Sequence, residues 1–162
     1  MFDRQLIVLA ENILKAARAQ SLRIATAESC TGGLVAAVLT EIAGSSDVFG
    51  RGYVVYSNRS KEKLLGVPAP LLAEMGAVCE PVARAMAEGA LKKSGAHLAL
   101  AVTGIAGPGG GGADKPVGLV HIAAARTGHA TLHSENRFGD IGRSAVRMKS
   151  VETALALLQR LL

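Results

Sequence analysis

A lysine amine can take the proton from a serine hydroxyl, and this chain offers the residue types for that chemistry. Ser45 and Ser46 follow an expected helix end, and Tyr56, Ser57, Asn58 and Lys61 come ten to fifteen residues later. A serine hydroxyl is a poor nucleophile until a base deprotonates it, and a neutral lysine is the base in Ser-Lys variants of the serine triad. Such a lysine must fall from a pKa of about 10.4 to roughly 7–8, which costs on the order of 3–4 kcal/mol of burial or neighbouring positive charge. Taken alone, Ser46 and Lys61 also fit a plain surface serine and a lysine at a helix start.

Two further segments have the composition of ligand sites. Ala27-Glu28-Ser29-Cys30-Thr31-Gly32-Gly33 lies between an expected strand and an expected helix. Free amides at such a junction can hold an anion, and the two glycines let a ligand approach the backbone. Ser29 and Thr31 add hydroxyls, although an ordinary cap followed by close packing fits the pattern too. The second segment is Thr103-Gly104-Ile105-Ala106-Gly107-Pro108 with four more glycines behind it. It contains G-x-G-x-x-G, but Lys115-Pro116 and a strand follow in place of a helix, so a dinucleotide fold is not implied. A glycine loop at the carboxyl end of a central strand remains a candidate ligand floor.

Other chemistries find less support. His97, His121, His129 and His133 are spread out, and although His129 and His133 could share a strand face, no third metal ligand stands out. Cys30 and Cys79 form no ligand spacing, and a buried thiol is the default reading of each.

The elements that must position these residues follow from hydrophobic periodicity and turn signals. Residues 3–19 read as a helix with Leu6, Leu9, Ile13, Leu14 and Ala17 on one face. Residues 22–26 form a short strand. Thr31 is expected to cap a helix running to Ala43, and Gly44 fits the position just past its end. Residues 48–56 read as a strand, 61–65 and 69–75 as short helices, and 81–94 as a longer helix with Pro81 in its first turn. Residues 98–103 are an apolar central strand and 104–116 a loop. Residues 118–125 and 130–138 read as two strands joined around Thr127-Gly128, and Asp140 or Ser144 would cap a last helix. Helices between the early strands and a closing hairpin predict a mixed sheet covered by helices on both faces.

Composition narrows the function further. The 162 residues fit one domain, 49% of them are hydrophobic and only 3% aromatic. A mean hydropathy of +0.31 is high for so small a chain, and the aliphatic surplus suggests apolar surface buried between subunits, hence a homo-oligomer. No apolar run of 18 residues occurs, so no membrane span is implied. A cytoplasmic location is the simplest expectation, because the first residues do not resemble a signal peptide. The net charge of +5 favours anionic partners, yet five scattered aromatics supply no stacking platform for nucleic acid.

AESCTGG at 27–33, YSNRSKEKLLGV at 56–67, GAVCEPVARAMAEGA at 76–90 and TGIAGPGGGGADKPVG at 103–118 together resemble the CinA C-terminal domain family. The resemblance covers nearly the whole chain, and it implies a three-layer α/β/α sandwich with a mixed central sheet, here as one stand-alone domain over 1–162. The enzymatic members are nicotinamide mononucleotide deamidases, so the resemblance implies hydrolysis of the nicotinamide carboxamide to nicotinate mononucleotide and ammonia, with no metal and no cofactor. It assigns a Ser-Lys pair to Ser46 and Lys61, with Tyr56 assisting proton transfer or orienting the pair; Ser29, at a strand-to-helix turn, is a competing nucleophile. Glu28, Ser29, Thr103 and Arg143 match positions near substrate. Arg143, or failing that Arg147, would hold the phosphate, and amides at Thr31, Gly32 and Gly33 or from Gly104 to Gly107 would form the oxyanion hole. Cys79 stands where the family usually has serine, and the arginine of Gly139-Asp140-Ile141-Gly142-Arg143 is spaced differently from the commoner Gly-Asp-Arg. Two rival readings follow from the same residues: a non-catalytic domain of a competence or DNA-damage response, and a hydrolase of another nucleotide.

Overall fold

The chain begins with a capped helix. Asp3 accepts the Leu6 amide at 2.8 Å, and Leu6, Ala10, Ile13, Leu14 and Ala17 recur at helical spacing on one buried face. The computed structural model describes residues 2–162. Its elements run α1 (Arg4–Ala19), β1 (Ile24–Glu28), α2 (Leu34–Thr40), a 3-10 turn (Ser45–Asp47), β2 (Phe49–Val54), α3 (Asn58–Leu65), α4 (Ala69–Met75), α5 (Glu80–Ser94), β3 (Leu98–Gly104), β4 (Leu119–Arg126), β5 (Leu132–Arg137) and α6 (Arg143–Gln159).

The five strands form one sheet in the order β2-β1-β3-β4-β5. β1 runs parallel to both β2 and β3, and β4 and β5 complete the sheet antiparallel. This is the mixed α/β sandwich that the sequence predicts. The two faces differ in side-chain size because strand residues alternate in direction. Ile24, Leu98, Leu100, Val102, Val120 and Ile122 project into a core with α1, α2 and α6. The opposite face presents Ala25, Ala27, Ala99, Ala101, Ala123 and Ala125 to α3, α4 and α5. An alanine-lined face lets a helix lie close, and α5 meets it with Ala83, Ala87 and Ala90.

Several boundaries differ from the sequence expectation for identifiable reasons. β1 starts at Ile24, not at residue 22, and continues to Glu28 because that carboxylate is satisfied inside the fold. Thr31 caps nothing: α2 begins only at Leu34, since Gly32 (φ 60°) and Gly33 (φ 99°) take left-handed backbone just before it. α3 begins three residues earlier than expected, where the Ser57 side chain accepts the Ser60 amide at 3.1 Å. Neither Asp140 nor Ser144 caps α6, which starts after Gly142 without a side-chain cap.

α3, which carries Lys61, is seated on α5 through a single glycine. A Cβ added at Gly89 would lie 2.0 Å from the Leu65 carbonyl oxygen, so any side chain there must push the end of α3 off α5. Gly89→Ala should therefore destabilise the protein by about 1–3 kcal/mol through overpacking, despite the better helix propensity of alanine. Urea unfolding followed by circular dichroism would read this as a lower midpoint; an unchanged or raised midpoint would contradict the close seating.

Candidate functional site

The candidate site lies where β1 and β3 end. β1 delivers Ser29 at a sharp strand-to-helix turn, tied to its neighbour strand by the Ser29 amide donating to the Val102 carbonyl at 2.9 Å. From the other side of a small cleft, α3 delivers Lys61. The cleft has a volume of about 210 Å³ and is lined by Ser29, Cys30, Lys61, Thr103, Gly104 and Arg143, with Tyr56, Asn58, Ala77, Val78 and Ala106.

Lys61 is the largest fully buried side chain of the protein. Its Nζ lies 3.0 Å from Ser29 Oγ, 2.8 Å from the Val55 carbonyl oxygen and 3.3 Å from the Tyr56 carbonyl oxygen. Among the described residues no carboxylate lies within ion-pair distance of it. Burial pushes the amine below its ordinary pKa of 10.5, with the neighbouring Cys30 acting weakly the other way. Three acceptors thus surround the amine, and in its neutral form, with two N–H groups serving the carbonyls, its lone pair can take the Ser29 hydroxyl proton.

The turn that carries Ser29 is held from both ends. The buried Glu28 carboxylate accepts the amides of Gly33 and Val35 at 3.0 Å and of Ala36 at 2.8 Å. Arg147 on α6 donates from Nε to the Cys30 carbonyl at 3.1 Å and from a terminal nitrogen to the Thr31 carbonyl at 2.9 Å. Gly32 donates to the Ser29 carbonyl at 3.1 Å, while the amides of Cys30 and Thr31 have no hydrogen-bond acceptor among the described residues. Cys30 is buried, and desolvation pushes its thiol up to about 11, so it is a protonated thiol at neutral pH and a poor nucleophile.

At the mouth, Arg143 donates to the Gly107 carbonyl at 2.8 Å and to the Tyr56 hydroxyl at 3.1 Å. Tyr56 is 61% exposed. Its hydroxyl is turned to Arg143, and its carbonyl, not its ring, meets Lys61. Thr103 is buried and donates to the Ala77 carbonyl at 2.8 Å, which fixes the wall formed by Ala77 and Val78.

These positions correct the expected pair. Ser46 sits exposed in the 3-10 turn ahead of β2, whereas Lys61 lies beyond the far end of that strand. Six residues at about 3.3 Å each separate them by roughly 20 Å. The structure thus brings Lys61 to Ser29 and leaves Ser46 out of reach. Of the expected oxyanion donors, the Gly32 and Gly33 amides are engaged by Ser29 and Glu28, and Ile105 donates to Leu119. Arg147 is committed to the turn carbonyls and not to the cleft. The glycine loop contributes only Gly104 and Ala106. His133 contacts His121, with ring nitrogens 2.9 Å apart, and not His129. Among the described residues no three His, Cys, Asp or Glu side chains gather where they could hold a metal ion, and no helix is long and apolar enough to cross a membrane. Asn58, named beside Lys61 in the sequence, lines the cleft, as do Ala77 and Val78, which no sequence signal marked as site residues.

The match that decides the family covers residues 7–162 and is to the CinA C-terminal domain. The chain belongs to the CinA C-terminal domain family. It is 53% identical over 143 residues to a CinA-like protein of Geobacter sulfurreducens, a match covering 88% of this chain and 34% of that protein. The chain thus spans about a third of the length of the curated relatives it matches. Its fold superposes on a competence/damage inducible protein from Agrobacterium tumefaciens with a TM-score of 0.98 at 51% identity, covering 99% of this chain and 98% of that one. A CinA superfamily protein from Escherichia coli superposes with a TM-score of 0.92 at 32% identity, covering 100% and 94%.

The unpaired amine of Lys61 makes a testable contribution to stability in this CinA-family domain. Between its lowered folded pKa and 10.5, the unfolded chain binds a proton that the folded chain does not. Stability should therefore rise with pH across that window and be lowest below it. Lys61→Met removes the ionisable group, and its unfolding free energy should lose this rise, which in the parent ends near pH 10.5. Thermal unfolding across that range would show it, and parallel pH profiles for parent and variant would contradict the burial argument.

Proposed function

We propose that the protein hydrolyses the carboxamide of nicotinamide mononucleotide to nicotinate mononucleotide and ammonia, with Ser29 as nucleophile and Lys61 as its base. The observation that carries the reading is the 3.0 Å contact between a buried, carboxylate-free amine and a serine hydroxyl at the floor of a cleft.

Ser29 Oγ attacks the carboxamide carbon as its proton passes to Lys61 Nζ. The carbonyl electron pair moves onto oxygen, which the free amide of Cys30 can receive, as the amide following the nucleophile does in a strand-to-helix elbow. Lys61 returns the proton to the amide nitrogen, the C–N bond breaks and ammonia leaves an ester on Ser29. Water then attacks the ester and gives a proton to Lys61. The bond to Ser29 Oγ breaks, Lys61 restores the hydroxyl proton, and the product departs as the acid, which gives its proton to water to become the carboxylate.

The size of the cleft supports a substrate with a small reacting end. About 210 Å³ falls below the roughly 300–1,000 Å³ of pockets that enclose a drug-sized ligand. A pyridine carboxamide would occupy the cleft, and the ribose phosphate would lie at the mouth beside Arg143 and Tyr56. A guanidinium with five N–H donors can meet a phosphate there while keeping its Gly107 contact.

The test is ammonia release from nicotinamide mononucleotide by the purified protein. Ser29→Ala should lower kcat by at least about 10³-fold, the scale on which hydrolases lose activity with their nucleophile. Ser46→Ala should stay within about twofold of the parent, as an exposed substitution does. Loss in Ser46→Ala with retention in Ser29→Ala would overturn the pairing, and a well-folded parent that releases no ammonia would move the proposal to another nucleotide amide.

A further inference from the structure

We infer that Asn58 reads the sugar of the substrate: its side-chain amide hydrogen-bonds the ribose hydroxyls of the nucleotide whose carboxamide lies at Ser29. The inference rests on the function proposed above and gives a task to a cleft residue that the mechanism leaves idle.

Asn58 lines the cleft together with Ser29, Lys61 and Arg143. It is the first residue of α3, but its neighbours secure the helix start. Ser57 accepts the Ser60 amide at 3.1 Å, and the Ser60 hydroxyl donates to the Ser57 carbonyl at 2.8 Å. Among the described residues the Asn58 side chain has no hydrogen-bond partner, and asparagine favours a helix only as its cap. Local structure therefore gives no reason for an amide at this position. The helix sets its place relative to the base. Residues three apart share a face, with Cβ atoms about 5–6 Å apart, so Asn58 stands one turn from Lys61. Lys61 is buried at the floor and Asn58 is exposed, which puts Asn58 on the solvent side of the amine, between floor and mouth.

At that depth the proposed substrate offers one kind of hydrogen-bonding group. Its carboxamide is engaged below by Ser29 and its phosphate above by Arg143. The pyridine nitrogen is bonded to the sugar and has no lone pair. The ribose hydroxyls remain, and each can donate and accept. Other residues of the cleft are not free to serve them. Ala77, Val78 and Ala106 bring no polar side chain, the Thr103 hydroxyl is spent on the Ala77 carbonyl at 2.8 Å, and the Tyr56 hydroxyl is engaged by Arg143 at 3.1 Å. A side-chain amide carries two N–H donors and an accepting oxygen, so Asn58 can donate to one hydroxyl of the diol while accepting from the other. Its exposure sets the size of the effect. A buried reader left unpaired rejects an analogue lacking its hydroxyl by about 10⁴-fold or more. An exposed amide returns to water, so the loss is the net value of one or two hydrogen bonds, about tenfold.

The test is ammonia release from nicotinamide mononucleotide and from its 2′,3′-dideoxy analogue, by the parent and by Asn58→Ala. The parent should favour the full nucleotide about tenfold in kcat/KM. Asn58→Ala should raise KM for the full nucleotide by about the same factor and leave kcat within about twofold, because the diol is held alike in ground and transition states. On the analogue, parent and variant should share one KM, close to that of Asn58→Ala on the full nucleotide. A loss of equal size on both substrates would overturn the inference, since it would place the effect of Asn58 on the amide, the phosphate or the seating of α3. An unchanged KM for the full nucleotide in Asn58→Ala would overturn it too. So would a parent that handles the two substrates alike, without recourse to any variant. A well-folded parent that releases ammonia from neither would overturn the function proposed above and this inference with it.

Discussion

A lysine amine buried with two carbonyls and a serine, and with no carboxylate, is the constraint around which this end of the molecule is arranged. Such a group is costly to bury in its charged form, and proteins normally answer with a counter-ion or leave the amine at the surface. Here α3 is anchored by Ser57 at its start and by contact with Gly89 at its end, so Lys61 cannot swing out to water without unseating the helix. The carbonyls of Val55 and Tyr56 and the Ser29 hydroxyl hold the amine by hydrogen bonds but bring no negative charge to offset its desolvation. Stability is thus given up at a position where methionine would pack as well, a pattern common at functional sites.

The sheet supplies the other half of the arrangement. Parallel pairing sets Glu28 opposite Val54 on one side and Val102 on the other, so the residues just beyond these three strand ends meet at one level. Ser29, Val55 and Thr103 converge for that reason, although they are far apart in the chain. The alanine-lined face beneath α5 is what allows α3 and the 76–79 wall to come so near. A face of leucines and valines, like the opposite one, would hold the helices further out.

The fold was largely legible from the sequence because periodicity and turn residues report on local structure. Element order and the hairpin of β4 and β5 follow from such signals. The proposed nucleophile was not legible in the same way. Ser29 and Ser46 are both serines beside an expected turn, and only the parallel register of β1 with β2 puts Lys61 next to the first and a strand's length from the second. The end of β1 at Glu28 was not legible, since nothing in the sequence marks the three backbone amides that satisfy this carboxylate inside the fold. Arg147 looked like a phosphate ligand because its partners are backbone carbonyls, which carry no mark in the sequence. The His121–His133 contact depends likewise on the antiparallel register of β4 with β5.

The charged groups around Ser29 divide into two kinds of work. Glu28 and Arg147 are each held by backbone, one by three amides and the other by two carbonyls, so they shape the turn, and their charges act in opposite directions on Cys30. Arg143 at the mouth keeps N–H groups to spare after serving Gly107 and Tyr56, and Lys61 at the floor is neutral when it acts as base. A substrate with its anionic end outward and its uncharged amide inward matches that gradient, because the positive charge faces the phosphate and the unprotonated amine faces the amide. The reverse orientation would set a phosphate against Ser29 and favour the ammonium form of Lys61, removing the base that the hydrolysis needs. Under the proposed function, the placement of Arg143 therefore serves orientation as much as affinity.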